Sequence, residues 1–391
     1  MCGVAFCEDD WSEEWASSVV VDVDWDNIYL FEGYIEQTLN EHLNNVHTPH
    51  ITLGESLSGA DLALYEILRD TISRVASTGH FVKSITLPYE VLGLTKSTYT
   101  AQELGVSSVK SWVHSHKHIS DAINPMLGLE TEKVGFALEY DMPYDLYWTT
   151  FIRFEHDIQF SSKELYLKQF KIEFGNKFAE HTLSEKTCET IIDEVHNAME
   201  NADAIVKAHA KESDYDKLRS YEETICDMVS YNYELAGVQR FHGTREEYEV
   251  ESAFGQEYFW VFDGDADTNV VCNGYAKAFK YLCDISNFDG EVLCSTVSGG
   301  LEGINHAWNV VKMPDGNNYL VDVTNCDDGL IGEGDRLFLR GSTNGDVFTG
   351  YTIPVNSRAM RYRYDEILLS LVDLDMLALA TQDYTPDSAV R

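Results

Sequence analysis

The spacing of apolar positions changes period several times along this chain, and each change marks an element. From Ser58, the residues Leu62, Tyr65, Leu68, Ile72 and Val75 recur at helical spacing, and Gly79 supplies a stop. Stretches 151–160 and 164–173 alternate with period two, like the strands of a hairpin. Residues 184–211 return to the helical period through Ile191, Ile192, Val195, Met199, Ile205 and Val206. A second helix is predicted from Asp214 through Leu218, Tyr221, Ile225 and Val229, and a further helical stretch near Gly33 to Asn45. After Cys272, the positions Tyr275, Ala276, Phe279, Leu282 and Cys283 keep helical spacing and define one buried face. Segments 306–313 and 319–324 then alternate on either side of the turn residues Pro314, Asp315 and Gly316. Residues 336–342 and the turn at 344–349 read as a further hairpin closing the sheet.

Chemistry enters at Cys272, the first residue of its helix. A thiol there faces unsatisfied N–H groups and the positive end of the helix dipole, and both favour the thiolate. Gly274 in the first turn leaves room for a backbone or a substrate to approach. His306 and Asp322 lie symmetrically about Pro314, so a hairpin centred there sets them opposite each other on one face. Asp322 would accept from one imidazole nitrogen while the other takes the thiol proton. Each residue alone has a plainer reading: a buried apolar thiol, a satisfied strand-end histidine, a turn-binding carboxylate.

The three stand in motifs of fixed order: C-x-G-Y-A at Cys272, H-A-W-N at His306 and V-D-V-T at Asp322. In this the segment 217–351 resembles the catalytic core of the transglutaminase-like superfamily, which includes cysteine proteases, protein cross-linkers and related acyl-transfer enzymes. The run 141–148, D-x-P-Y-x-L-Y-W, resembles a stretch upstream of that core in bacterial relatives, and Tyr231-Asn-Tyr233 resembles the Y-x-Y that ends its first helix. The resemblance implies an α+β fold: a papain-like core, with the cysteine-bearing helix packed on an antiparallel sheet, preceded by an N-terminal α+β accessory domain. The expected division is 1–182 and 183–391. It also implies a Cys272-His306-Asp322 triad working through a thioester on a protein or peptide substrate, without cofactor or metal. Relatives are mainly secreted or surface proteins of Gram-positive bacteria, which implies an extracellular or cell-surface location.

One departure stands beside the triad. Where the family commonly reads D-V-T-W-D-D, this chain has Asn325 and Cys326 after Thr324, losing a ring and gaining a thiol. For the oxyanion, the Cys272 backbone N–H is the natural first donor. Gln256 has the chemistry for the second, and Trp260 is the alternative.

Composition narrows the partners. With 66 acidic against 28 basic residues the formal charge is −38, which argues against nucleic acid and against anionic membrane surfaces. It also raises a preference for basic substrates. No apolar run is long enough to span a bilayer, and the start of the chain carries no basic n-region or long h-region. The 8 cysteines, at positions 2, 7, 188, 226, 272, 283, 294 and 326, include no C-x-x-C pair, so zinc-ribbon and thioredoxin-type readings fail, and mostly free thiols are expected.

Two rival motifs also fail. The stretch 263–267 imitates a calcium loop but has Thr268 where glycine is required and Gly274 in place of the closing glutamate. His114, His116 and His118 would share a face if extended, without a companion carboxylate. The expectation is therefore an acyl-transfer enzyme, hydrolytic because water is always at hand, with an amine acceptor as the alternative. An inactive cleft that binds peptide or glycan and a metal-dependent hydrolase are the rivals from other classes.

Overall fold

Helix α1 (Gly59–Thr78) buries Leu64, Tyr65, Leu68, Ile72 and Val75, and it ends where Gly79 adopts a left-handed φ of 67°. It belongs to a computed structural model that describes residues 53–79, 81–180, 185–265 and 267–386. The helical stretch read near 33–45, Cys2 and Cys7, the boundary placed near 182 and the chain's last residues lie outside the described residues.

The first sheet is antiparallel and built of β1 (Ser84–Leu87), β2 (Thr98–Thr100), β3 (Ile152–Phe160) and β4 (Glu164–Phe174). β4 is its centre: β3 pairs along its whole length, while β1 and β2 share its other edge. The alternating stretches thus form the expected hairpin, with a bulge between Asp157 and Ile158. Helix α2 (Thr131–Asp141) packs on α1 and leads into a tight turn that buries Tyr144, Leu146, Tyr147 and Trp148. Asp141 holds this corner, accepting from the backbone N–H of Leu53 and Gly54 and from the Tyr65 hydroxyl.

Helices α3 (Glu185–His209) and α4 (Asp214–Met228) follow as expected, then α5 (Arg245–Phe254) and α6 (Cys272–Asp284). A second antiparallel sheet runs in the order β7-β6-β5-β10-β9-β8, with β5 (Leu293–Leu301), β6 (Ile304–Lys312), β7 (Asn318–Val321), β8 (Gly345–Asp346), β9 (Gly350–Val355) and β10 (Arg358–Tyr364). The fold is α+β, with helices set against antiparallel sheets. The turn at 344–349 joins the edge strand β8 to β9 as a hairpin, but 336–342 is not a strand of it: Leu339 takes a positive φ of 47°, which breaks the extended run, and Arg340 makes only an isolated bridge to Leu320.

α6 lies across β5 and β6 and under α3 and α4. It is therefore buried nearly all round, with only Asn273 and Lys277 partly exposed, rather than on one face as its periodicity suggests. Its polar interior residues are paired: Lys280 and Asp284 meet at 2.8 Å, and the Tyr144 hydroxyl donates to Asp284 at 3.1 Å. Glu257, 2% exposed, receives Lys177 at 2.7 Å and Lys277 at 2.6 Å, so one carboxylate joins the end of the first sheet to α6. Ring contacts from Trp148 to Phe174, Phe81 to Phe178 and Phe178 to Phe254 carry one apolar core from the first sheet to the helices of the second.

Candidate active site

Val271 stands extended as the N-cap of α6, and Cys272 is the first helical residue. The Val271 N–H donates to the Gly255 carbonyl at 2.9 Å, which fastens the start of α6 to the end of α5. Gly274 is required by the chain itself: a Cβ there would come within 2.7 Å of Val270, so the space read as open to a substrate is filled by the preceding loop. The thiol, 6% exposed, packs with Ala276, Ala307 and the half-buried ring of Tyr231. Tyr231 is held by pairing with Val270, beyond the end of α4 at Met228.

His306 stands on β6 beside the thiol, close enough for Cys272 to act on the imidazole. Its Nε2 donates to Asp322 Oδ2 at 2.9 Å, leaving Nδ1 as the ring nitrogen that faces sulfur. The ring stacks on Trp308 at 6.0 Å with planes 17° apart. Burial pulls the imidazole's pKa down, but the Asp322 carboxylate and the thiol outweigh it and lift the value to about 10. Asp322, completely buried, is held below the usual carboxylate range: burial pushes it up, while His306, Tyr362 and Asn325 pull it further down.

The route to this pairing differs from the hairpin read in sequence. Observed partners are Asn309 with Val321 and Lys312 with Asn318, which centres the hairpin on Asp315. The turn from Met313 to Asn317 places Gly316 at φ 83°, and it shifts the register by two residues from that of a turn centred on Pro314. His306 therefore does not oppose Asp322, and the register places Trp308 there instead. The even spacing still holds both side chains on one face, and the imidazole reaches the carboxylate diagonally. β7 ends at Val321, and Asp322 caps the short helix α7 (Val323–Cys326), accepting from the Asn325 N–H at 3.2 Å.

Three residues complete the site without having been assigned a role from sequence. Tyr362 of β10 donates its hydroxyl to Asp322 Oδ2 at 2.6 Å. Asn325, the departure from the family pattern, donates Nδ2 to the same oxygen at 2.7 Å and lies 3.4 Å from His306 Nε2. Asn309, the last residue of the H-A-W-N motif, donates to the Ala276 carbonyl at 3.0 Å and fixes α6 on β6. Its place in that motif was the available signal. Tyr362 had none, because β10 was not recognised.

Of the oxyanion candidates, Gln256 lies next to the thiol's helix. Its Oε1 accepts from Asn273 Nδ2 at 3.3 Å, which leaves its NH2 as the donor end. Trp260 turns elsewhere: its indole hydrogen-bonds Glu194, and both line a cavity of about 580 Å³ with Asp263 and Asp265. The thiol gained at Cys326 is buried, its pKa raised by burial and by the Glu222 and Asp322 carboxylates.

The rejected motifs resolve into local structure. Asp263 and Asp265 turn their carboxylates onto the N–H groups of Asp265 and Asp267 at 2.8 and 2.9 Å. The three histidines are not on one extended face: His114 lies inside the helix Val109–Ser115, and His116 Nδ1 donates to the Trp112 carbonyl at 2.8 Å. Among the described residues no group of three or more ligand-type side chains is placed to hold a metal, and no helix is long and apolar enough to cross a membrane.

No protein-family model matches the chain, and no curated protein matches it. The arrangement itself is a thiol at a helix N-terminus, an imidazole against it and a buried carboxylate fixing the imidazole. Chemically, it can hold a thiolate–imidazolium pair and deliver its proton to a leaving group.

Proposed function

We propose that this chain is a cysteine acyl-transfer enzyme of the transglutaminase-like kind, on a papain-like core, acting on peptide or carboxamide bonds. The observation that supports it most is the series from the Cys272 thiol through the His306 imidazole to Asp322 Oδ2, with Nε2 at 2.9 Å from the carboxylate. In this reading the Cys272 thiolate attacks the carbonyl, and the backbone N–H of Cys272 and the Gln256 amide receive the developing oxyanion. His306 gives its proton to the leaving amine, and a thioester remains. Water then attacks with His306 as base, regenerating the thiol and releasing an acid. Hydrolysis is favoured over transfer to an amine because cross-linking needs water to be excluded. A protein or peptide substrate and an extracellular or cell-surface location belong to the same proposal.

The test is iodoacetamide labelling across pH with peptide mapping, on wild type and His306→Ala. Labelling of Cys272 faster than that of Cys226, and slowed by His306→Ala, is expected. Labelling of Cys272 no faster than that of Cys226 would overturn the reading and favour a cleft that binds without reacting. Incorporation of a fluorescent primary amine into a glutamine-rich protein would replace hydrolysis by transfer.

A further inference from the structure

We infer that Cys283 and Cys294 form a disulfide when the chain folds in an oxidising medium, tying α6 to β5. The register between helix and strand carries this. Thr296 Oγ1 donates to the Ala276 carbonyl at 3.3 Å, so this side of β5 faces α6, and strand alternation puts Cys294 on the same side. Ala276 and Cys283 are two helical turns apart and so share a face. Further along, Lys280 Nζ donates to the Cys294 carbonyl at 3.1 Å, one turn before Cys283. The strand step from Thr296 to Cys294 covers about 7 Å, and two turns of helix rise about 10 Å, part of which is taken up by the forward-pointing Ala276 carbonyl. The two thiols come together at the end of that path, 2% and 5% exposed, close enough for Cys294 to act on the Cys283 thiol.

Cys326 and the half-buried Cys226 also influence each other, but both are set against the Glu222 carboxyl group. Cys226 lies 3.9 Å from a Glu222 carboxylate oxygen, and Cys326 hydrogen-bonds the same carboxyl group.

The oxidant required is a low-molecular-weight disulfide such as oxidised glutathione. One cysteine thiolate attacks it, releasing one small thiol and leaving a mixed disulfide. The second cysteine thiolate then displaces the other small thiol, so two electrons and two protons pass from the protein to the small disulfide. Burial and the neighbouring Cys294 push the Cys283 thiol well above its ordinary pKa in the folded chain, so exchange belongs to folding, before the core closes. The bond closes only the short loop 284–293. It clamps α6, which carries Cys272, to the strand that pairs with β6, where Cys294 lies opposite Val311 and Gly299 opposite His306. It is independent of whether Cys272 reacts with any substrate.

The full chain is reduced, denatured and refolded either in a glutathione redox buffer or in excess reductant. Remaining thiols are blocked with iodoacetamide, and the protein is digested and mapped without reduction. A linked peptide joining Cys283 to Cys294, with Cys226 and Cys326 alkylated, is the expected result. The oxidised protein should also melt several degrees higher than the reduced one, a difference that disappears in Cys294→Ala. Alkylation of both Cys283 and Cys294 after oxidative refolding overturns the inference, as does linkage of either to another cysteine. Should Cys294→Ala fail to fold, the wild-type map decides alone.

Discussion

The Tyr362 hydroxyl donates to Asp322 Oδ2 at 2.6 Å, the same oxygen that accepts from His306 Nε2 at 2.9 Å. With Asn325 Nδ2 also on that oxygen and the Asn325 N–H on the other, the carboxylate is surrounded by donors and has no exposure to water. Such a group stays ionised in the interior because hydrogen bonds replace its hydration.

Tyr362→Phe removes one of these charge-assisted bonds and leaves the ring in place. The expected cost is about 1.5–3 kcal/mol of unfolding free energy, measured by urea denaturation. No loss of stability would show that His306 and Asn325 satisfy the carboxylate by themselves.

Asn325→Ala removes the side-chain donor while the backbone N–H cap survives. A loss of about 1–2 kcal/mol is expected, together with a changed pH profile for Cys272 alkylation, since Asn325 also lies beside His306 Nε2. An unchanged profile would make Asn325 a spectator to the imidazole.

Stability should depend on pH through His306. Its folded pKa, about 10, exceeds the ordinary 6.5, so its contribution is fully present below pH 6.5 and is lost as pH rises toward 10. Asp322 acts oppositely: its folded pKa is depressed, so its contribution is present above the ordinary carboxylate pKa and is lost as pH falls through the folded value. His306→Ala should flatten the alkaline fall in a thermal-melt series from pH 6 to 10.

Glu257→Leu tests the junction between the first sheet and α6. It strands Lys177 and Lys277 without their shared carboxylate, and a loss of about 3–5 kcal/mol is expected in urea. A neutral result would mean that both ammonium groups reach water when the carboxylate is gone.

Gln256→Ala bears on the proposed chemistry. Loss of one oxyanion donor should lower kcat by about 10²–10³, while the rate of Cys272 alkylation, which needs no oxyanion, stays at the wild-type level. Equal losses in both would instead assign Gln256 to positioning the thiol.

Local pattern determined much of this protein. Helical spacing located α1, α3, α4 and α6, alternation located the β3–β4 and β6–β7 strands, and the order of Cys272, His306 and Asp322 singled out residues that the fold brings together. These are properties of neighbouring residues, set by side-chain direction and turn chemistry. Tertiary structure decided what depends on distant partners. The shift of the hairpin centre to Asp315 depended on a left-handed glycine, which composition alone does not locate. The burial of α6 on all sides came from α3 and α4 closing over it, and Tyr362 reached Asp322 only because β10 pairs with β5. A carboxylate's donors are chosen by three-dimensional proximity. A contact between residues forty positions apart carries no period for the sequence to display.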